Sequence, residues 1–541
     1  MNAPPVDDDD RSRDGLQAVA RGGVLNLVTA ALGAVLGFFL VILVGRGLGP
    51  SGAGVFFTSI GLFTILSTIL ELGAPMALVR SVAARQELET PHDLPLLASI
   101  SIVPVLVIGT VVAIAAYVLI DQIVSVLFSP AERSQGAEFL RVLIPFIPLA
   151  AGASVALGGT RGFGSMVPFV LVRNLGKPIL RPILTGAAIL AGLGASAIAL
   201  AWVIPAGLEF PVALLAFLVL LRRATSGVRG SREGDAPAVR RLAAEFWRFA
   251  APRGVAATFQ TLVLWMDVLL VGAMTSTRQA GIYATASRFV LLGTLAIEAV
   301  RLAIAPQLGA MFARNDLAGA QRMYGVATWW LMVPSWPVYV VIAAFAPVFL
   351  RLFGAGFGEA QDVLVILSIA MLFNIGTGNV TVVLLMAGKS VWNLGNALIA
   401  FVINLGLNLL LIPRFGITGA AVAWTASIVW ENLAPLVQIR RAFGLTPFGR
   451  GYVRVAAAAL VVFGGVALVI RFVFGAGVPQ LILAVLIAIG PYIYVLTRAR
   501  GELEAGVLVR AMKARPSRPG GDDGSIDAAI ASIDEDGETV I

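Results

Sequence analysis

The 541-residue sequence has no cysteine and a single histidine, His92. Disulfides, thiolate nucleophiles and cysteine-ligated metals are therefore excluded, and His92, set among polar loop residues, reads as solvated rather than as a ligand or proton relay. Charge is also scarce. Asp, Glu, Lys and Arg make up 13% of the chain, where a soluble domain carries about 25%. So little charge cannot cover a soluble surface. No Walker phosphate loop, HExxH helix or GxSxG elbow is present, so neither ATP hydrolysis nor the commonest hydrolase sites are expected. The net charge of +8 matters less by its sum than by its placement, and no nucleic-acid partner is expected.

What the chain has instead is apolar sequence, 58% of its residues. Apolar runs fall at about 24–44, 54–72, 94–120, 139–158, 179–193, 197–221, 250–274, 282–303, 326–352, 361–387, 393–412, 417–438, 455–474 and 479–497. About fourteen transmembrane helices are expected, in an all-α polytopic fold. The start, with Asp7 to Asp10 ahead of the first run, does not read as a cleavable signal, which needs a basic opening and a short apolar core. If the N-terminus lies inside and the helices alternate, 31 of the 39 basic residues fall on the inner side. The positive-inside rule then favours both termini in the cytoplasm and residence in the cell membrane.

Charge and composition divide the chain further. Residues 1–20 read as a disordered cytoplasmic N-terminus and 21–221 as a first lobe of six spans. Residues 222–248, basic and rich in Gly and Ser, read as a cytoplasmic linker loop. A second six-span lobe follows at 249–440, two further helices at 441–498, and a disordered, finally acidic cytoplasmic tail at 499–541.

The two lobes share a faint internal repeat. Ala53-Gly54-Val55-Phe56 falls on Ala280-Gly281-Ile282-Tyr283, an offset of 227. At the same offset Val44-Gly45 meets Val271-Gly272, Thr58 meets Thr285 and Glu71 meets Glu298. Six spans separate the copies, so both have the same orientation. The repeat is therefore parallel, about an axis along the membrane normal, with a substrate path between the lobes.

Ionisable groups at membrane depth are expensive and mark a wet interior or a partner. Glu71, near the inner end of span two, is open to pairing with Arg80, to capping a helix or to a path role. Asp267 stands in span seven with no charged neighbour in sequence, which favours a lumen-facing or ion-coupling role. Arg288, about two turns into span eight, is placed to pair with it. Glu298 and Arg301, three apart, can satisfy one another. Glu431 reads as structural. Arg46 follows span one in Gly45-Arg46-Gly47-Leu48-Gly49-Pro50, at the outer interface or facing a phosphate; Arg80 anchors span two or guards the inner mouth. Trp329, Trp330 and Trp336 read as interface-belt residues.

Together, Arg46-Gly47-Leu48-Gly49-Pro50, Leu72-Gly73, Ala77 to Arg80, Asp267 to Gly272, Ala280 to Tyr283, Ala286-Ser287-Arg288, Ala387-Gly388-Lys389 and Asn408 through Ile412-Pro413-Arg414-Phe415-Gly416 to Ala421 resemble the polysaccharide and O-antigen flippase family. That family belongs to the multidrug/oligosaccharidyl-lipid/polysaccharide exporter superfamily. The resemblance covers roughly residues 20–500. It implies two six-helix lobes in a V, a central cationic cavity, alternating access, and a polyprenyl-diphosphate-linked oligosaccharide carried from the cytoplasmic to the outer leaflet. It implies two extra helices able to form a lipid groove, no cofactor, coupling to a proton or sodium gradient, and contact with other polysaccharide-assembly membrane proteins. The physics agrees, since a diphosphate cannot cross hydrocarbon bare and needs cations in a wet interior. Related lipid II flippases carry an Arg-Asp pair in the first helix and arginine in the second. Here Leu36 to Leu40 and Phe57 to Leu70 are uncharged, although Arg288 matches the arginine of their eighth helix. Lipid II is therefore a less favoured cargo. Two further functions compete: a cation-coupled multidrug exporter, and a membrane glycosyltransferase or polymerase, which the short outer loop 121–138 disfavours.

Overall fold

The fold is described from a computed structural model, in which residues 8–88, 91–226 and 236–498 are placed. Among the described residues there is no β-strand. The helices are α1 (Asp8–Leu70), α2 (Ala74–Glu87), α3 (Leu94–Val118), α4 (Ile120–Leu127), α5 (Arg133–Leu143), α6 (Ile147–Gly162), α7 (Lys177–Leu190), α8 (Ala195–Thr225), α9 (Ala236–Met274), α10 (Thr277–Ser287), α11 (Val290–Ala313), α12 (Leu317–Ala344), α13 (Ala346–Leu350), α14 (Gln361–Gly376), α15 (Val380–Met386), α16 (Ser390–Phe443), α17 (Arg450–Ala457), α18 (Gly465–Phe474) and α19 (Val478–Arg498). π-Helical turns at Phe169–Gly176 and Ala458–Gly464 lead into α7 and α18.

Eleven helical stretches among the described residues are long and apolar enough to cross a membrane, so the chain is a multi-pass membrane protein. Two of them, Ala31–Glu87 and Ser390–Phe443, are 57 and 54 residues long, far more than the ~20 that one crossing needs. Each contains a break. α1 turns at Gly49, where φ is 66°. Pro50 removes the N–H that would continue the helix and forbids a helical conformation to the residue before it, and glycine alone takes the positive φ without strain. α16 breaks at Gly416, where φ is 56°, three residues after Pro413.

Several boundaries differ from the sequence expectation. Residues 8–20, expected to be disordered, already belong to α1. The expected linker 222–248 is mostly helix where it is described, because α8 continues to Thr225 and α9 begins at Ala236. Its Arg residues interrupt an apolar run but not a helix, since Arg is a good helix former. The helical segment expected from residue 179 already includes the π-helical turn from Phe169, hidden by Lys177, Pro178, Arg181 and Pro182. Trp329 and Trp336 are buried between helices, so they do not form an interface belt. The expected tail, 499–541, lies outside the described residues.

The two halves meet tightly at one end of the bundle, here called the Pro50 face. A Cβ at Gly54 would collide with the Thr277 carbonyl, and one at Gly281 with the Pro50 carbonyl. The offset of 227 exchanges these two contacts, carrying Gly54 to Gly281 and Pro50 to Thr277. A second pair obeys the same relation: Ser129 Oγ accepts from Thr277 N at 3.0 Å, and Gly356 sits against the ring of Pro50. At the opposite end α2 crosses α9, with Gly73 against Ala250 and Gly254. The last helices, α17 to α19, are fixed to α12. Tyr492 Oη donates to the Val333 carbonyl at 2.9 Å, and Arg471 donates to the Ala344 carbonyl at 2.6 Å.

Candidate functional site

Buried charges are concentrated on the segment that runs through the π-helical turn at Phe169–Gly176 into α7. Arg173, Lys177 and Arg181 recur every four residues, which aligns them along one helix face. Each is held from a neighbouring helix. Arg173 donates to Ser154 Oγ of α6 at 2.8 Å. Lys177 Nζ meets Glu209 Oε2 of α8 at 2.5 Å. The Arg181 guanidinium lies 3.7 Å from the centre of the Trp202 ring and also donates to the Trp202 carbonyl. Arg161 stacks on Phe169, which also faces Arg173. Glu71 accepts from Ser154 and lies within electrostatic reach of Arg173 and Lys177. Arg80, one of the partners left open for Glu71, stacks on Phe249 instead.

Across the gap between the lobes stands Arg288. Its guanidinium is 4.4 Å from the centre of the Trp265 ring and 5.3 Å from that of Phe57. Its Nε is buried and has no acceptor within the protein. Arg181 and Arg288 line one cavity of about 370 Å³, whose walls include Gly33, Gly37, Ile60 and Leu295. The cavity thus lies between α1 and α11 and receives one guanidinium from each lobe. Stacking orients a guanidinium while leaving its N–H fork free, an arrangement suited to bidentate recognition of phosphate.

A second hollow of about 620 Å³ adjoins it, sharing Phe38 and Leu292. Every residue lining it is apolar, including Phe349, Phe463, Leu481 and Leu486. The terminal segment, through Phe463 and α19, therefore closes one side of an apolar groove that α1, α11 and α12 complete and that runs up to the cationic cavity.

Asp267 does not meet Arg288 and does not line that cavity; it is buried in the second lobe, 3% exposed. Tyr283 Oη donates to its Oδ2 at 2.9 Å, and Asn408 Nδ2 donates to its Oδ1 at 2.8 Å. Asn404, one turn before Asn408, completes the cluster with its Oδ1 3.2 Å from Asn408 Nδ2. Asn408 Oδ1 is buried without a partner in the protein. The Asp267 carboxylate is thus met by a phenol O–H and a carboxamide N–H, neutral donors that satisfy its oxygens.

The remaining sequence candidates are peripheral. Glu298 and Arg301 pair with each other at 2.7 Å, both about half exposed. Arg46 donates to the Leu352 carbonyl at 2.8 Å on the Pro50 face. Arg80 stacks on Phe249, which also carries Arg253, at the opposite mouth. Of the expected residues, only Arg288 lines the central cavity. Arg173, Lys177 and Arg181 were missed because they counted among the inner-side basic residues, where their four-residue spacing was the available signal; Glu209 was missed inside the run 197–221.

Comparison with solved structures sets the class. The lipid II flippase MurJ in an inward closed conformation superposes with a TM-score of 0.67 at 14% identity, covering 89% of this chain and 99% of that one. A mutant of the Vibrio cholerae MATE transporter VcmN gives 0.54 at 16% identity over 82% and 99%. The fold is thus shared with MurJ and with VcmN. The family model described as polysaccharide biosynthesis protein matches residues 19–312, more than half of the chain, and the chain belongs to that family. A curated relative, the probable low-salt glycan biosynthesis flippase Agl15 of Haloferax volcanii, is 30% identical over 171 residues. That match takes in 30% of this chain and spans about a third (35%) of the relative.

Proposed function

We propose that the chain carries a polyprenyl-diphosphate-linked oligosaccharide from the cytoplasmic to the outer leaflet of the cell membrane, for surface polysaccharide assembly. The observation that carries this reading is the pair Arg181 and Arg288, one guanidinium per lobe in a single cavity that adjoins an apolar groove. Two forks facing one space suit a diphosphate, and the groove suits a polyprenyl tail. In this reading the chain makes fourteen crossings: the breaks at Gly49 and Gly416 divide two long helices, and α7 adds a short one. Both termini face the cytoplasm, as the distribution of basic residues favours. The lobes alternate access around the cavity, and a proton or sodium ion at Asp267, Asn404 and Asn408 couples the cycle to an ion gradient.

The test uses proteoliposomes holding a defined polyprenyl-diphosphate oligosaccharide. Arg181→Gln and Arg288→Gln should each slow flipping about tenfold or more, the loss of one charge-assisted bidentate contact. Wild-type rates in both variants would remove the pair from the path.

A further inference from the structure

On the outer flank of the second lobe, α12, α14, α16 and α17 enclose a groove of about 560 Å³. It is separate from the central cavity and from the apolar groove beside it. Leu433 and Val437 on its wall are 46% and 39% exposed, so it opens sideways to the bilayer. Gly376 forms its floor, since a Cβ there would lie 3.0 Å from both Tyr452 Oη and the Trp336 ring.

The walls are apolar but for Thr377 and Thr446, and three further donors border the space. Trp336 is 7% exposed, and its Nε1 is buried with no acceptor in the protein. A buried indole N–H normally has an acceptor. The Tyr452 phenol packs edge-on against the same indole, with ring centres 6.4 Å apart. Arg440, near the end of α16, closes the rim.

The first lobe has a counterpart groove of about 510 Å³ in which Pro145, Leu149 and Phe210 stand where Leu372, Gly376 and Val437 stand in the second, at the offset of 227. Gly109 and Ala213 occupy the positions equivalent to Trp336 and Arg440. The hollow is a property of the repeated fold; the indole and guanidinium donors belong to the second lobe alone.

We propose that this groove binds one anionic glycerophospholipid. The phosphate lies against Arg440, ester oxygens accept from Tyr452 and Trp336, and an acyl chain follows the Leu433–Val437 wall. A charged acceptor at one end of an apolar body is the chemistry that these donors and walls complement. The site depends on the chain's place in a membrane and not on its cargo.

Native mass spectrometry of the full-length chain in detergent, titrated with dioleoyl phosphatidylglycerol, tests it. One lipid should persist at a collision energy that strips the others. Its retention should fall about fivefold or more in Arg440→Gln, and in Trp336→Phe, which removes the N–H but keeps a ring. Glycerol 3-phosphate, which offers the phosphate without the chains, should not displace it. Equal retention by wild type and both variants, or displacement by glycerol 3-phosphate at equal concentration, would overturn the proposal. Neither readout involves transport, so failure here leaves the flippase reading untouched, and the converse holds as well.

Discussion

Asp267 shows what a single residue contributes at membrane depth. A lone carboxylate in hydrocarbon is prohibitively costly, yet this one is held by Tyr283 and Asn408 with no cationic side chain against it. Its charge is thus satisfied by neutral dipoles, and in the ion-coupled cycle proposed above it is the group that takes up the cation. Asp267→Asn keeps the shape and one acceptor oxygen but removes the charge. An imposed proton or sodium gradient should then no longer accelerate flipping, while the protein still purifies folded; acceleration equal to wild type would exclude Asp267 from coupling. An isolated charge in an apolar run stands out in sequence, which is why Asp267 and Arg288 were legible. Their partners were not. Asn404 and Asn408 carry no charge, and contact across 141 positions leaves no local trace.

Among the elements, the seam between α7 and α8 bears the heaviest electrostatic load. Glu209 is buried against Lys177, and nearby Arg173 and Arg181 leave cations in excess. Removing one member of a buried pair costs about 3–5 kcal/mol, because the other charge remains buried and unpaired, whereas replacing both by apolar groups is often neutral. Glu209→Gln should therefore lower the melting temperature in detergent, and Lys177→Met/Glu209→Met should recover most of the loss. If the double variant is no better than the single one, the pair does more than neutralise itself. This seam was the least legible part of the sequence. Pro178 and Pro182 interrupt helix hydrogen bonding, the π-helical turn at Phe169–Gly176 shifts the register, and basic residues near a span edge look like inside anchors.

At the scale of the whole molecule, the repeat and the turns are what the sequence showed best. The faint match at an offset of 227 corresponds to physical crossings, because close approach of two backbones demands glycine on both sides, at Gly54 and Gly281. The lobes are clasped at the Pro50 face, and alternating access requires that clasp to open. Ser129 Oγ and Thr277 Oγ1, one from each lobe, are 3.3 Å apart. In a chain without cysteine, Ser129→Cys/Thr277→Cys places a single disulfide across the clasp. Oxidation should abolish transport and a reductant should restore it; full transport with the bridge formed would rule out opening at this face. The cargo, on which the functional reading turns, is tested most directly by the unmodified chain in proteoliposomes with a polyprenyl-diphosphate oligosaccharide labelled on its sugar. The labelled sugar should become accessible on the opposite leaflet, in step with protein content. No such movement for any polyprenyl-diphosphate sugar, together with efflux of a cationic dye by the same preparation, would contradict the flippase reading.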